Sequence, residues 1–391
     1  MDNICNEKEA LCFFQMLPGF KKKHISELMK HFKTYSEAAN ADIEVYESML
    51  AKELASVLVS ERELKGIASP IACLKEHGIE YCIAGDEDYP RRLLNISDMP
   101  ISLFCMGKLP KDDAPAVAVI GARNCSGYGR QMAREYAREI AASGIQVISG
   151  MAAGVDGIAQ RAALSVGGSS YAVLGSGVDV CYPEVNRDLY DELKEKGGII
   201  SEYTPGTQPK AGQFPSRNRI ISGLSDAVIV IEARERSGTL ITVGMALDQS
   251  RDVYALPGRI TDSLSCGCNR LIWEGATPLL KPYEFVEEFY KRYEKDGGRR
   301  PDKSAKKDKK NGEQDNVRLK FLSRNERKIL AVLDNVPKTV SEIIYDLGDE
   351  CELNIPELMQ LLTGMTIKHL IDCVDGSNYQ TRSSFSLSDI S

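Results

Sequence analysis

The sequence is poor in the residues and patterns on which most enzyme chemistry depends. Only four of its 391 residues are histidine, and its eleven cysteines are an odd number without the spacing of a disulfide framework or a zinc site. A G-x-x-x-x-G-K-[S/T] segment is absent, which excludes a P-loop nucleotide site, and Gly175-Ser176-Gly177 lacks the third glycine of a dinucleotide fingerprint. We therefore expect no bound metal and no cofactor.

Long apolar runs are missing as well. None approaches the ~18 residues that a membrane-spanning helix needs. The residues from Met1 to Glu7 lack the basic and apolar pattern of a secretory signal. Together with the odd cysteine count, these absences predict a cytoplasmic protein without a membrane partner.

The net charge of −7 is distributed unevenly along the chain. Residues 1–290 carry −8, residues 291–320 carry +6 and residues 321–391 carry −5. This pattern excludes a broad basic face that coats nucleic acid, so any nucleic-acid site must be focused. One segment fits that description, because residues 203–225 contain no acidic side chain but include Lys210, Arg217 and Arg219.

Four segments with different patterns divide the chain. Residues 1–69 show the apolar spacing of short amphipathic helices and predict a small helical domain of the SAM or helix-hairpin-helix type. Residues 70–286 alternate short apolar runs with helical stretches, which predicts a Rossmann-like α/β domain with a doubly wound, mostly parallel sheet. Residues 287–318 are typical of a basic linker, and residues 319–391 predict a C-terminal winged-helix-like domain. The strands expected in the central domain are 116–120, 145–149, 170–174, 198–201, 227–231 and 252–256.

A tight turn in the helical domain has two interpretations. Leu17-Pro18-Gly19-Phe20 interrupts two predicted helices and is followed by Lys21, Lys22 and Lys23. Such a hairpin can offer backbone N–H groups and lysines to a phosphate. The simpler interpretation, which we favour, is a plain helical hairpin with solvated lysines.

Four glycine-rich loops follow predicted strands of the central domain. Ligands bind at the carboxyl ends of the strands in an open parallel sheet, where glycines let backbone amides approach an anion. Four such loops together favour a phosphate-binding rim. Asp156 and Asp179 lie at expected helix N-termini, so we interpret them as caps rather than as catalytic carboxylates. The loops comprise residues 121–123, 149–156, 175–179 and 237–239.

The segment from Phe214 to Ile221 is the most informative part of the sequence. Arg217 and Arg219 are two residues apart and diverge on a helix, so one can reach a phosphate while the other pairs with the fold. Phe214 can stack on a base, and Asn218 can hydrogen-bond a base edge. The alternative, in which Phe214 belongs to the core and both arginines are structural, stays equally open at this point.

Ordered blocks between about Asp88 and Pro278 resemble the DNA-processing protein A family, also called DprA or Smf. The resemblance implies a single-stranded DNA-binding protein rather than an enzyme, one that protects incoming DNA and loads the RecA recombinase in natural transformation. It also implies a homodimer formed through the central domain. The blocks include 88–90, 118–123, 149–156, 174–179, 214–225, 237–240 and 267–269.

The same resemblance indicates which residues bind DNA. Ala122 and Ala153 depart from the family pattern, because many members have a serine and a basic residue at these positions. The carried-over residues are Arg123, Ser149, Gly150, Gly154, Lys210, Arg217, Asn218 and Arg219, to which the loop and stacking arguments add Gly121 and Phe214.

Two other classes of function remain as alternatives. A nucleotide-processing enzyme of the lysine-decarboxylase-like, cytokinin-activating group would share a Rossmann-like fold. Residues 232–239, however, lack the double glycine of that group's P-G-G-x-G-T-x-x-E loop. An adaptor protein with an inactive pocket would show neither DNA binding nor turnover.

Overall fold

A computed structural model of the chain divides into two units, Met1–Pro301 and Asp302–Ser391. The predicted linker, 287–318, lies largely outside the described residues. Within the described residues, no helix is both long and apolar enough to cross a lipid bilayer. The structure describes residues 6–295, 297, 298, 300, 323–333, 337–348, 354–368, 370–374 and 378–381.

From residue 6 onward, six helices open the described part of the first unit. Asn6 starts α1 with a capping box, in which the Asn6 side chain accepts from the Glu9 amide and the Glu9 carboxylate accepts from the Asn6 amide. Leu11, Phe14 and other apolar residues of these helices form a separate core. The helices are α1 (Glu7–Met16), α2 (Lys22–Leu28), α3 (Tyr35–Ala39), α4 (Ile43–Met49), α5 (Lys52–Lys65) and α6 (Ser69–Glu76).

A nine-stranded sheet forms the centre of the first unit. Its order is β1-β2-β6-β5-β4-β3-β7-β8-β9, and β2 pairs antiparallel with both β1 and β6, while the remaining pairs are parallel. This is the mostly parallel Rossmann-like sheet that the sequence predicts. The strands are β1 (Glu80–Ile83), β2 (Ser102–Gly107), β3 (Ala116–Ile120), β4 (Gln146–Ser149), β5 (Ser170–Val173), β6 (Gly198–Ser201), β7 (Ala227–Val230), β8 (Asp252–Ala255) and β9 (Thr277–Pro278).

Helices cover both faces of this sheet because the central strands are apolar on both sides. All five residues of β3 are buried, and alternate residues enter two different cores, Val117 and Val119 in one and Ala118 and Ile120 in the other. The covering helices are α7 (Gly127–Ala142), α8 (Val155–Ser165), α9 (Arg187–Lys196), α10 (Gln213–Gly223), α11 (Gly238–Asp248), α12 (Cys266–Trp273) and α13 (Pro282–Lys295).

Two helices extend across boundaries that the sequence predicts between domains. α6 crosses the expected boundary at residues 69 and 70, and its Leu74 packs with Ile79 and Phe104 in a core of the central domain. α13 continues nine residues beyond the expected end of that domain at 286, because Phe289 and Tyr290 are buried against the sheet layer. Packing, rather than local composition, sets both helix ends.

Within its described residues, the second unit has three helices and a three-stranded antiparallel sheet in the order β10-β12-β11. Leu330, Ile343, Leu358 and Tyr379 are among the residues of its core. Its assignment as a winged helix stays a prediction. The elements are α14 (Arg324–Val332), β10 (Lys338–Thr339), α15 (Val340–Leu347), α16 (Ile355–Ile367), β11 (Ile371–Val374) and β12 (Asn378–Thr381).

Candidate nucleic-acid interface

A cavity of about 800 Å³ opens where β3 and β7 end. The strand order changes direction here, because β4 lies on one side of β3 and β7 on the other. Crevices at such switch points are the usual ligand sites of open α/β sheets. The polar and aromatic residues on the cavity wall are Arg123, Asn124, Asp156, Tyr182, Phe214, Arg217, Asn218, Arg234, Ser237, Thr239 and Thr242.

Two glycines bring the loops at the cavity into close contact. Gly154 has a φ of +79°, and a Cβ there would lie 2.3 Å from the Ala122 carbonyl oxygen. A Cβ on Gly121 would lie 2.7 Å from Val155 Cγ2. The Val155 amide donates to the Ala122 carbonyl at 3.2 Å. Glycine is therefore required at both positions for the loop after β3 to lie on the start of α8, which places Arg123 at the cavity.

Arg217 forms the buried side of the cavity. It is only 5% exposed, and its Nη1 donates to the carbonyl oxygens of Gly150, at 3.0 Å, and Val173. Its Nε donates to the Asn218 Oδ1 at 3.2 Å. Within the part of the chain that the structure describes, Nη2 has no hydrogen-bond acceptor, so this nitrogen keeps its donor capacity for a ligand.

Asp156 faces Arg217 across Gly150. The Asp156 carboxylate accepts from the Gly150 amide at 3.1 Å, and a Cβ on Gly150 would come within 3.0 Å of both charged side chains. Burial raises the pKa of Asp156, and Arg217 opposes that rise. Burial lowers the pKa of Arg217 to about 10, against the influence of Asp156. Each of the two buried side chains therefore stabilises the charged form of the other beneath the cavity.

Aromatic rings and an arginine form one wall of the cavity. The Tyr182 and Phe214 rings stack with centroids 5.5 Å apart and planes inclined by 30°. The guanidinium of Arg123 lies 5.4 Å from the Phe214 ring centroid, and Arg123 itself is exposed. A flat stack that includes an exposed cation can hold a nucleobase and its phosphate together.

Arg219, which the sequence places among the DNA-binding residues, faces away from this cavity. Its guanidinium makes two bonds to the Glu202 carboxylate, at 2.8 and 2.7 Å, and its Nε donates to the backbone and side chain of Asp98. Arg219 is only 7% exposed. Arg217 is therefore the arginine on this cavity, Arg219 forms an ion pair with the fold, and a DNA contact of Arg219 stays a prediction.

Two further predicted residues do not reach the cavity surface. Ser149 is fully buried, and its hydroxyl donates to the Val119 carbonyl of the neighbouring strand at 2.7 Å, so it shapes the loop rather than meeting a ligand. Lys210 is exposed in the loop before α10 and is not part of the cavity wall. Gly150 holds Arg217 and Asp156 through its backbone.

Several wall residues were missing from the predicted site, and Arg234 is the most important of them. It is exposed in the loop after β7, opposite the loop that carries Arg123. The switch-point rule could have found it, because the loop after the strand beside β3 must border the same crevice. Among the described residues, no group of three or more His, Cys, Asp or Glu side chains could hold a metal ion.

Comparisons with known proteins agree with the sequence resemblance. The family model for DNA recombination-mediator protein A matches residues 80–290. DNA processing protein DprA of Streptococcus pneumoniae is 44% identical over 204 residues, which are 52% of this chain and 72% of that protein. Protein Smf of Escherichia coli is 42% identical over 224 residues, which are 57% of this chain and 60% of that protein.

Solved structures of related proteins show the same fold. The X-ray structure of DprA from Streptococcus pneumoniae superposes with a TM-score of 0.58 at 32% identity, over 73% of this chain and 98% of that one. A structure describing the single-stranded DNA binding mode of DNA processing protein A from Helicobacter pylori superposes with a TM-score of 0.50 at 32% identity. It covers 55% of this chain and 97% of that one. The family is one of recombination mediators rather than of enzymes, in agreement with the sequence-based expectation.

Proposed function

The chain belongs to the DNA recombination-mediator protein A family, and we propose that it binds single-stranded DNA in the cavity at the ends of β3 and β7. The observation that carries this proposal is the composition of the cavity wall. Exposed Arg123 and Arg234 lie on two sides of it, with the Tyr182–Phe214 stack between the loops and Arg217 beneath. This combination suits a phosphodiester chain with an accessible base.

The proposed ligand is a single strand rather than a duplex. Bases of a duplex are already stacked on one another and cannot stack on Phe214 without being unpaired. A duplex would also have to approach residues 1–290, which carry a net charge of −8. Little counterion release would compensate the repulsion between this charge and the phosphates of the duplex. A flexible strand can instead enter the cavity and meet the few arginines there.

Substitution of Arg123 tests the proposed site. Each phosphate contact with a single strand contributes about 0.7 to the slope of log affinity against log salt. Arg123→Ala is therefore expected to reduce this slope by about 0.7 and to lower the affinity about fivefold at about 0.1 M salt. Fluorescence anisotropy with single- and double-stranded oligonucleotides measures both. Arg138→Ala is the matched control, because Arg138 is exposed on α7 and is not part of the cavity wall. Equal affinity and slope in both variants would refute the site.

We further propose that the bound strand is protected and handed to the RecA recombinase during recombination or transformation. Support comes from the family description and from the DprA and Smf relatives. The test measures RecA-dependent ATP hydrolysis on single strands covered by a single-strand-binding protein. Stimulation by the wild-type protein but not by Arg123→Ala is expected, and a lack of stimulation by the wild type would contradict this role.

A homodimer is the last part of the proposal, and α11 is the surface that favours it. The sequence of α11, GTLITVGMALD, is mostly apolar, and its single charged residue, Asp248, lies at its end. Thr242, Val243 and Ala246 are buried, but Leu247 is 60% exposed. A second copy on this face would bring two cavities to one strand and raise affinity through avidity. Light scattering should show a species of twice 43.1 kDa, and Leu247→Asp should convert it to the monomer.

A further inference from the structure

A second cavity, of about 420 Å³, lies on the opposite side of α10. The first cavity is lined by Phe214, Arg217 and other residues of α10 at a spacing of three or four. The second is lined by Ser216 and Arg219 of the same helix. Residues at this spacing share one face of a helix. One short helix is therefore the common wall of both cavities, and its first turn separates them.

The wall of the second cavity contains cations that the fold leaves available. Arg219 is neutralised by Glu202 and Asp98, as described above. Lys22 lies 3.5 Å from Asp98, but both side chains are about two thirds exposed, so the pair is weak. Among the described residues, Lys21 has no carboxylate within ion-pair distance. Both lysines belong to the helical hairpin for which the sequence left a phosphate-binding role open.

Two lysines of the hairpin, Lys21 and Lys23, act on a neighbouring side chain. Partial burial lowers the pKa of His24, and Lys23 and Lys21 lower it further. The His24 ring accepts from the Lys21 amide through Nδ1 at 3.1 Å, so it lies directly beside the hairpin. An anion at this position would relieve the mutual repulsion of the lysines.

The second cavity repeats the chemistry of the first. Phe20 and Tyr203 provide aromatic surface, and the hydroxyl groups of Thr204 and Thr207 are additional hydrogen-bonding groups. Aromatic faces beside cations are the usual combination for a nucleotide in a single strand. The volume lies within the range of small-ligand cavities, about 300–1,000 Å³, and suits one nucleotide unit.

We propose that the second cavity is a further subsite for the same DNA strand, in which Lys21 and Lys22 hold phosphates after the strand has crossed the start of α10. This inference rests on the proposed function of the first cavity. It adds the N-terminal helices to the DNA-binding surface. A strand long enough to reach both cavities therefore binds more tightly than one that fills the first cavity alone.

The experiment compares oligothymidines from about 4 to about 24 nucleotides on the full-length protein. Lys21→Ala/Lys22→Ala is the test variant. Lys52→Ala/Lys75→Ala is the control, because these lysines are also exposed in the N-terminal helices but line neither cavity. At about 0.15 M salt the test variant should bind the longest oligonucleotide about tenfold more weakly, with a salt slope smaller by about 1.4, and the shortest one unchanged.

Three other results would overturn the inference. One is unchanged affinity of the test variant for every length while Arg123→Ala loses binding, which would leave the first cavity intact as the site. Another is an equal loss at every length, since the lysines would then not form a separate subsite. The third is binding of thymidine monophosphate or inorganic phosphate that needs Lys21 and Lys22 while long strands bind normally. If Arg123→Ala also binds normally, the proposed function itself fails.

Discussion

Removal of Arg217 should destabilise the protein by an amount that depends on pH. In Arg217→Met, Asp156 stays buried without its opposite charge, and breaking a buried pair in this way costs about 3–5 kcal/mol. The carbonyl oxygens of Gly150 and Val173 also lose their donor. When Asp156 is protonated, only this second loss remains, and unpaired buried polar groups cost about 1–3 kcal/mol.

The sign of the pH dependence follows from the pKa of Asp156. Burial raises this pKa above the ordinary value of 3.8. The stability that the neutral Asp156 carboxyl gives to the folded state is therefore fully present below pH 3.8, and it is lost as the pH rises through the raised pKa. Without Arg217 the pKa rises further, and the loss continues to higher pH. The difference in stability between wild type and variant should therefore grow as the pH increases from 3.8.

Urea unfolding followed by circular dichroism at several pH values measures this difference. Asp156→Asn/Arg217→Met provides the control, because the amide carries no charge at any pH and the double variant should show a much flatter dependence. A destabilisation by Arg217→Met that is equal at all pH values would refute the charge pairing and leave only lost hydrogen bonds. An unchanged unfolding free energy would refute the buried position of Arg217 altogether.

Three further predictions concern the loops, the stack and the second unit. Gly154→Ala should lower the melting temperature more than Gly206→Ala, because both glycines have positive φ but only Gly154 also meets backbone atoms; equal shifts would contradict the loop contact. Phe214→Ala should weaken single-strand binding by about 1–3 kcal/mol in anisotropy titrations, and Phe214→Tyr should retain it; equal binding by both variants would exclude stacking. Truncation after Lys320 should reduce single-strand affinity less than tenfold, about 1.4 kcal/mol, because residues 321–391 carry −5; a larger loss would identify the second unit as a DNA reader.

The central fold could be predicted because its strands are short, continuous apolar runs. All six expected strands are present, and β3 occupies the predicted residues, Ala116–Ile120. The two edge strands, β1 and β9, and the strand β2 beside β1 were not predicted. β9 has two residues and β1 has four with one exposed end, so neither carries a clear periodic signal. Their pairing depends on neighbouring strands far away in the sequence.

The site was predictable in its loops but not in its side chains. Arg217 and Arg219 are equivalent from the sequence alone, and Glu202 and Asp98 determine which of them leaves the cavity. Asp98 is 121 residues from Arg219, and its contact is therefore a property of the tertiary structure. Ser149 likewise has a hydroxyl suited to a phosphate, but this hydroxyl donates to the Val119 carbonyl of the neighbouring strand instead.

The position of β3 has a consequence during synthesis of the chain. Its partner β7 begins 111 residues later, and the carboxylate of Asp226, just before β7, accepts a hydrogen bond from the Ala116 amide. At a synthesis rate of about 5–20 residues per second, the edge of β3 that pairs with β7 stays unpaired for about 5–20 s after it leaves the ribosome. An unpaired apolar edge can pair with other nascent chains. Ribosome pausing before residue 230 should therefore lower the yield of folded protein, whereas pausing in the second unit should not.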